Sequence, residues 1–169
     1  MHIGFVGKIG SGKDAAADYV VKKHKFVSLR LSDVISDELV RLGIDSSREN
    51  KQILGTKMRR EQGEDILMRK LFDKVRKGEN YIFNGIRHPD EAAFLKKVGG
   101  VLVKVECDEK VRFERAKVRD KIDWQEFKIM DNRESERMID KIKTDFSINN
   151  NGSLENLQKQ LDKLIAELS

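Results

Sequence analysis

The sequence is poor in cysteine and proline, with one residue of each, and only 7% of its residues are aromatic. Because a single cysteine, Cys107, cannot form an internal disulfide, we do not expect a disulfide-stabilised secreted scaffold. No apolar run approaches the roughly 18 residues that a membrane-spanning helix needs, so we expect a soluble protein with no membrane partner. The opening residues MHIGFVGK lack the basic and long apolar regions of a secretion signal, which predicts a cytoplasmic protein.

The length and the charge of the chain are ordinary for a small globular protein. Its 169 residues, 38% of them hydrophobic, suffice for one core, so we predict a single domain over residues 1–169. The net charge of +5 suits an anionic ligand, either a small phosphorylated molecule or nucleic acid. Because no basic strand surface carries interleaved aromatic residues, nucleic acid is the less favoured partner. The oligomeric state stays open between a monomer and a small homo-oligomer.

Apolar stretches typical of strands alternate with helical patterns along the chain. Connections of about ten residues or more between successive strands predict right-handed crossovers and a parallel sheet with helices on both faces. We therefore predict an α/β fold with about five parallel strands. The second strand is predicted to lead into a helix near Val34, Ser46 and Glu49 to form a capping box, and residues 48–75 to form two helices or one bent helix. The five predicted strands are IGFV, FVSLRL, YIF, VLVKVE and DFSIN.

A glycine-rich loop, GKIGSGKD, lies between the first predicted strand and the first predicted helix. Glycines in such a loop allow several N–H groups to turn toward a phosphate, and the helix N-terminus adds positive potential. The lysine then reaches the β- and γ-phosphates as a point charge. The alternative interpretation is a plain turn with a solvated lysine. The residues predicted to bind the nucleotide here are Gly7, Gly10, Ser11, Gly12, Lys13, Asp14 and Ala15.

Asp14 departs from the usual form of this loop, which places a serine or threonine hydroxyl on Mg²⁺. The acidic residue expected at the end of another strand is also replaced, because the third strand ends in Asn84. Our hypothesis is that the single negative charge of the metal site has moved from the third strand to the helix start. The alternative is that Asp14 only caps the helix N-terminus.

Other polar residues also follow predicted strands, and in a parallel sheet such positions meet at one edge, where ligands bind. Asp33 follows the second strand, Arg87 the third, and the turn at residues 149–153 the fifth. This turn either surrounds a donor base, through Asn151 and Gly152, or simply joins a strand to a helix.

Taken together, these residues resemble the nucleoside monophosphate kinase superfamily of P-loop phosphotransferases, and within it the dephospho-CoA kinase-like and archaeal adenylate-kinase-related proteins. The resemblance implies a three-layer sandwich, with an acceptor-binding insertion over residues 34–76 and a lid over residues 116–137. It also implies ATP and Mg²⁺ as cofactors and a small phosphorylated acceptor, a nucleotide or dephospho-CoA. The loop ending G-K-D is similar to that of phage deoxynucleotide kinases and animal phosphomevalonate kinases. The turn NGIR resembles the family's D-G-x-P-R turn, with Asn in place of Asp and no proline. The other segments that carry the resemblance are LSDVISDEL, LGTKMRREQGEDILMRKL, RFERAKVRDKIDWQEFKIMDNRESER and DFSINNNGSLENLQKQL.

The acceptor is less constrained than the donor. A phosphate acceptor needs no general base but needs arginines, and Arg59, Arg60 and Arg87 are available. A hydroxyl acceptor would use a carboxylate such as Asp33 to take its proton. The structural alternatives are a helix cap for Asp33 and a solvated helix face for the adjacent pair of arginines.

Arginines of the charged helix, Arg112, Arg115 and Arg119, share one face by their spacing, and Arg133 follows them. A closing lid would bring such groups over the transferred phosphoryl group, and by resemblance Arg115 or Arg119 would stack on the donor base. We predict an ATP-dependent kinase that prefers a nucleoside monophosphate over dephospho-CoA; a regulatory or RNA-associated ATPase is the competing class. The residues predicted to take part in the transfer are Lys13, Asp33, Arg87, Arg115, Arg119 and Arg133.

Overall fold

The computed structural model describes all of residues 1–169 and contains five strands and nine helices. The strands are β1 (His2–Val6), β2 (Val27–Arg30), β3 (Tyr81–Asn84), β4 (Val101–Glu106) and β5 (Phe146–Asn149). The helices are α1 (Lys13–His24), α2 (Leu31–Arg41), α3 (Arg48–Gln62), α4 (Ile66–Phe72), α5 (Pro89–Lys97), α6 (Glu109–Asp120), α7 (Trp124–Asp131), α8 (Glu134–Ile139) and α9 (Leu154–Leu168).

All the strand pairs of the sheet are parallel, and the strand order is β2-β3-β1-β4-β5. Asn84 at the end of β3 is in register with Arg30 of β2 on one side and with Phe5 of β1 on the other. Glu106 of β4 is in register with Asn149 of β5. The strands therefore end at a common edge, and the predicted α/β fold with a five-stranded parallel sheet is confirmed.

Hydrophobic cores cover both faces of the sheet. Successive strand residues point to opposite faces, so Leu102 joins one core while its neighbour Val103 joins the other. The larger core lies beneath α2, α4 and α5, and the second lies beneath α1 and α9. This arrangement is a three-layer sandwich. None of its helices has the length and the apolar content of a membrane-spanning helix.

The beginnings of two helices differ from the predictions. Helix α2 begins at Leu31, not near Val34, and neither Ser32 nor Asp33 caps it. The residue before it, Arg30, is still in the extended strand conformation, so the chain passes from strand to helix without a polar break. Helix α3 is capped by Ser47, whose hydroxyl accepts from the N–H of Asn50 at 3.2 Å. The predicted capping box at Ser46 is therefore wrong by one residue.

Residues 48–75 form two helices, and the break lies at Gly63, where φ is 103°. Side chains other than glycine rarely adopt this conformation, which explains why the helix ends there. Gly55, by contrast, lies inside α3 without interrupting it and packs against the side chain of Ile35.

A third and smaller cluster lies over the glycine loop. Ile9 of the loop packs with Ala116 of α6 and Phe127 of α7, and both of these partners are fully buried. Trp124 stacks on the ring of Phe127 at a centroid distance of 5.7 Å. The segment after β4 is thus packed directly against the loop.

Candidate active site

The glycine loop joins β1 to α1, and its backbone requires glycine at two positions. Gly10 and Gly12 have φ values of 77° and 91°. A Cβ atom on Gly10 would collide with the backbone carbonyl of Arg112, and one on Gly12 with the side-chain amide of Asn150. The loop is therefore closely enclosed by α6 and by the segment after β5.

Lys13, the first residue of α1, has a side chain that is only 12% exposed, and its Nζ lies 3.7 Å from Asp14 Oδ2. Burial lowers the pKa of Lys13, and the positive charge of Arg87 lowers it further, whereas Asp14 and Glu136 raise it. Two residues before it in the loop, Ser11 is buried, and its hydroxyl has no hydrogen-bond partner. A buried lysine and an unpartnered hydroxyl in the same loop suit an anionic ligand at the N-terminus of α1.

Asp14 and Asn84, the two residues that depart from the usual loop pattern, are in direct contact. The Nδ2 group of Asn84 donates to Asp14 Oδ1 at 2.7 Å, and Asn84 is 3% exposed. Burial raises the pKa of Asp14, but the charge of Lys13 and the hydrogen bond from Asn84 together bring it below its ordinary value. Asp14 is consequently ionised at neutral pH.

The remaining atoms of this pair fit a magnesium ion. The Oδ1 atom of Asn84 is buried without a partner, while the Asp14 side chain is 53% exposed at the sheet edge. Mg²⁺ prefers oxygen ligands, keeps several waters, and is commonly held by one or two carboxylates together with substrate phosphates. No three His, Cys, Asp or Glu side chains come together as a metal-binding group, so any metal here would have few protein ligands.

The turn after β3 is organised by Glu91, which is completely buried. Its Oε2 atom accepts from the backbone N–H groups of Arg87 and His88 at 2.9 and 3.1 Å. Its Oε1 atom pairs with Arg59 Nη2 at 2.8 Å. Arg59, a predicted acceptor ligand, is therefore already engaged in an internal ion pair that joins α3 to this turn.

Glu136 of α8 links the side chain of Arg87 to the glycine loop. One carboxylate oxygen forms an ion pair with the Arg87 guanidinium, and the other accepts from the N–H of Ile9 at 2.8 Å. Glu136 is 4% exposed, whereas the Arg87 side chain keeps an exposed fraction of 34%. Arg87 is thus held beside the loop with part of its guanidinium open.

The arginines of α6 have different surroundings. Arg112 is buried in a two-point ion pair with Asp131, at 2.5 and 3.1 Å, and donates to the carbonyl of Ile9 at 3.1 Å. Arg115 donates to the carbonyl of Asn150 at 2.8 Å. Arg119 pairs with the adjacent Asp120 and is 55% exposed. Of the three, Arg112 has a supporting position, and Arg119 is the one most open to a ligand.

Arg48, at the start of α3, belongs to a group of positive charges that the sequence analysis missed. Burial lowers its pKa, and the charges of Arg133, Arg87 and Arg119 lower it further, whereas Asp120 raises it. Arg48 itself forms no ion pair. Arg48 of α3 therefore lies close enough to arginines of the turn after β3 and of the segment after β4 to be affected by their charges.

Two predicted acceptor residues stand apart from this group. Arg60 has a side chain that is 78% exposed, and its nearest acidic partner is Glu61 at 4.0 Å. It faces an open groove on the outer side of α3, away from its neighbour Arg59, as the geometry of a helix requires. Asp33 is exposed in the first turn of α2 and forms no hydrogen bond or ion pair.

In the turn after β5, the predicted residues Asn151 and Gly152 are exposed, and Asn151 Oδ1 accepts from the N–H of Asp108 at 2.7 Å. The residue that contacts the loop is Asn150, which is buried and donates through Nδ2 to the carbonyl of Ser11 at 2.8 Å. Asn150 lies within the predicted turn but was not itself predicted as a site residue. Glu136 was missed because it accepts from a backbone N–H 127 positions away, which leaves no local sequence signal. Glu91 was also missed, although its place three residues after His88, the N-cap of α5, is a local signal of a capping box.

The chain is similar in sequence to archaeal proteins of the UPF0200 group. A UPF0200 protein of Thermococcus kodakarensis is 28% identical over 176 residues, covering 96% of this chain and 95% of that protein. A UPF0200/UPF0201 protein of Archaeoglobus fulgidus is 30% identical over 180 residues; the match covers 99% of this chain but 55% of that protein, so the chain spans little more than half of its length.

Among solved structures, shikimate kinase from Acinetobacter baumannii in complex with shikimate superimposes with a TM-score of 0.63 at 16% identity. The match covers 99% of this chain and 94% of that chain. At this level of identity the likeness shows the fold alone, a three-layer α/β P-loop fold that the two chains share.

The family model described as an AAA domain matches residues 3–139, from β1 through the end of α8. That range includes the glycine loop, the Asp14–Asn84 pair, Arg87 and Glu136. The chain belongs to this family, AAA_18.

Proposed function

We propose that the protein is an ATP-dependent phosphotransferase that moves the γ-phosphoryl group of ATP to a small phosphorylated acceptor, most favourably a nucleoside or deoxynucleoside monophosphate. The observation that carries the proposal is that Glu136 pairs with Arg87 and also accepts from the N–H of Ile9 at 2.8 Å, which holds Arg87 beside the loop that carries Lys13. The charge of Arg87 also lowers the pKa of Lys13. Two such charges suit a donor phosphate and an acceptor phosphate brought together.

On the donor side, the N–H groups of the loop and the ammonium of Lys13 bind the β- and γ-phosphates of ATP. In this proposal Ser11, Gly12 and Ala15 contribute through their backbone, and Asn151 and Gly152 lie next to the adenine. Asp14, positioned by Asn84, would hold Mg²⁺, which neutralises phosphate charge when bound. The P–O bond to the β-phosphate breaks as the bond to the acceptor oxygen forms, and ADP leaves.

On the acceptor side, a phosphate oxygen is already anionic and attacks without a general base. In this proposal its charge is balanced by Arg87, Arg119 and Arg133. All three lower the pKa of Arg48, which supports a group of cations that could share one anion. Residues 34–76 form the acceptor-binding part and residues 116–137 the lid in this proposal, within one domain over residues 1–169.

A second candidate function is the phosphorylation of a hydroxyl group, as in dephospho-CoA. One observation favours it: Asp33 is exposed in the first turn of α2, just after β2, and has no hydrogen-bonding or ionic partner, so its carboxylate is available as a base. The two candidates differ in this residue. Asp33→Asn removes the base that a hydroxyl acceptor needs, but it leaves a phosphate acceptor with its nucleophile intact.

The test is ADP formation from ATP and Mg²⁺ in a coupled assay, with ribo- and deoxynucleoside monophosphates and dephospho-CoA as separate acceptors. Lys13→Ala is the blank, and its folding is checked by circular dichroism. Stimulation by one acceptor, abolished in the blank, supports the proposal. If ATP binds but no acceptor stimulates ADP formation, a regulatory or RNA-associated ATPase becomes the better interpretation, and steeply salt-dependent RNA affinity would support it.

A further inference from the structure

Glu136 connects two parts of the site that are far apart in sequence. Its Oε2 atom accepts from the N–H of Ile9 at 2.8 Å, and its Oε1 atom pairs with the Arg87 guanidinium. Ile9 lies 127 positions from Glu136 along the chain, and Arg87 lies 49 positions away. A single carboxylate thus sets the separation between the glycine loop and Arg87.

Stability alone does not explain a carboxylate at this position. A buried charge is costly to remove from water, and a well-packed apolar residue is often as stabilising as a buried ion pair. Glu136 also adds a negative charge close to Lys13, in a site where the other evidence points to an anionic ligand. What an apolar residue cannot do is hold a guanidinium in one orientation.

The pairing leaves Arg87 able to bind a ligand. A guanidinium has five N–H donors in a rigid fork, and the contact with Glu136 uses Nη1. The side chain is still about one-third exposed, with its remaining donors free of internal partners. Glu136 therefore limits the orientation of Arg87 without occupying all of its donors.

We propose that Glu136 is a positioning residue that aims Arg87 at the phosphoryl group in transit by tying its guanidinium to the N–H of Ile9. This inference rests on the proposed phosphotransfer. Because Glu136 lies on α8, at the end of the proposed lid segment, the same contact couples this helix to the loop. Without it, Arg87 keeps its charge but loses its fixed orientation.

The Arg112–Asp131 pair provides a matched control. Its side chains are 7% and 8% exposed, and Arg112 contacts the same loop residue through the carbonyl of Ile9 at 3.1 Å. Asp131 makes no contact with Arg87. Asp131→Asn therefore measures the effect of disturbing a buried ion pair beside Ile9, while the orientation of Arg87 is left alone.

The first experiment measures kcat and KM with the acceptor that stimulates ADP formation in the coupled assay described above. For Glu136→Ala we expect kcat to fall by about 100-fold, because a misplaced catalytic group is costly even when it is still present. The KM for ATP should stay within about threefold of its original value, because Lys13 and the loop glycines are unchanged. Glu136→Gln keeps the size of the side chain and one accepting oxygen, so its kcat should be about tenfold higher than that of Glu136→Ala. If Glu136→Ala stays within threefold of the unsubstituted protein or loses no more kcat than Asp131→Asn, the proposal is overturned.

The second experiment does not depend on phosphotransfer. Calorimetry measures the binding of inorganic phosphate, in the presence of ADP, to the unsubstituted protein, Glu136→Ala, Arg87→Ala and the double variant. Because Arg87 loses its fixed orientation, Glu136→Ala should weaken phosphate binding by about fivefold, although a negative charge is removed. In the Arg87→Ala background the same substitution should instead tighten phosphate binding, because only the repulsion by the carboxylate is then removed.

The two experiments separate the two claims. If no acceptor is phosphorylated but the phosphate-binding effects of Glu136 and Arg87 are coupled, the proposed function fails and the pairing stands. If an acceptor is phosphorylated and the two effects on phosphate binding are strictly additive, the positioning role is wrong while the function stands. Thermal unfolding of each variant verifies that it is folded before either experiment is interpreted.

Discussion

Charged residues around the glycine loop are more completely paired than those of helices α2 and α3. Around the loop, Arg112 pairs with Asp131, Glu136 with Arg87, and Asp14 with Asn84. On α2 and α3, Arg59 is paired with Glu91, but Asp33 and Arg48 have no hydrogen-bonding or ionic partner.

The exposure of apolar side chains does not follow this division. Val40 of α2 and Ile53 of α3 are 72% and 61% exposed, and Val118 of α6 and Ile129 of α7 are 80% and 67% exposed. The difference between the two regions therefore lies in their polar contacts. We infer that the donor side is organised before any ligand binds, while the acceptor side keeps polar groups free for the acceptor. The predictions below test this division, beginning with the largest expected effect.

The largest expected effect concerns the backbone conformation of the glycine loop. Gly10→Ala forces a left-handed backbone conformation on alanine and drives its Cβ into the backbone of Arg112, which cannot rotate away. We expect a loss of about 3 kcal/mol in the free energy of unfolding and at least about 100-fold in ADP affinity. Chemical denaturation and calorimetry measure the two quantities.

Gly99→Ala is the control for backbone strain. Gly99 has a similar φ of 82°, but a Cβ there would meet nothing within 4 Å. This variant should lose about 1 kcal/mol of stability and keep its ADP affinity. An equal loss of ADP affinity in both variants would show that the loop is no more sensitive than an ordinary turn.

Substitutions at Asp14 and Asn84 test whether Mg²⁺-dependent nucleotide binding requires one carboxylate at this pair. We expect Asp14→Ser to raise the Mg²⁺ concentration needed for tight ADP binding by about tenfold, because the only carboxylate of the pair is lost. Adding Asn84→Asp should restore most of the affinity, since a carboxylate returns to the end of β3. Asn84→Asp alone should lower the melting temperature, because two carboxylates would then lie within hydrogen-bond distance of each other and repel.

Calorimetric titration of ADP at several Mg²⁺ concentrations measures these effects for both single variants and the double variant. The coupling between the two positions should be about 1–3 kcal/mol. Strictly additive changes would contradict the exchange of charge between Asp14 and Asn84 and would favour a simple capping role for Asp14.

Arg48 and Arg60 provide a matched pair within α3. We expect Arg48→Ala to raise the acceptor KM by about tenfold, because a charged hydrogen-bond donor is removed from the shared arginine group. Arg60→Ala should leave the acceptor KM within about twofold, since its side chain faces the outer groove. Steady-state kinetics at saturating ATP measures both. A larger effect for Arg60 would mean that the acceptor binds on the other side of α3.

The smallest expected effect concerns the far end of α1, the helix that begins with Lys13. Asp162 of α9 has a pKa that is lowered to about 2. The main cause is the hydrogen bond from Lys23; the hydrogen bonds from His24 and Tyr19 add to it, and burial opposes it. A carboxyl group whose pKa is lowered by folding stabilises the folded state at every pH above the pKa that it has in the unfolded chain, near 3.9. That contribution is lost as the pH falls through the folded-state pKa of about 2.

We therefore expect the free energy of unfolding to decline between pH 4 and pH 2, and to decline less steeply in Asp162→Asn. Glu155→Gln is the control on the same helix, because its ion pair with Lys159 is exposed on both sides. Denaturant titrations at several pH values measure the slopes. Identical slopes for all three proteins would show that Asp162 does not join α9 to α1 energetically.

Much of the donor site could be predicted from sequence because its signals are local. The glycine loop, the strand before it and the helix after it are adjacent, and the pattern of Gly10, Gly12 and Lys13 follows from backbone conformation and charge. The pairing of Asp14 with Asn84 could also be predicted, because in a parallel sheet the strand ends near these residues meet at one edge.

The acceptor side was predicted less completely, for a physical reason. Helical geometry requires Arg59 and Arg60 to face different directions, but the sequence does not say which one meets Glu91. Arg48 was missed because nothing near it in sequence marks it. The boundary of α2 was also misplaced, because its first turn carries no cap and the strand runs directly into the helix.

The sequence by itself therefore determined the parallel α/β architecture and the position of the glycine loop, since periodicity, glycine conformation and strand-to-helix order are properties of neighbouring residues. Only the tertiary structure decided which charges are paired and which stay open. The contact of Glu136 with Ile9 joins residues 127 positions apart, and no local pattern encodes it. Such pairs form because a buried charge must find a partner, and the partner is chosen by the packing of the sheet and its helices.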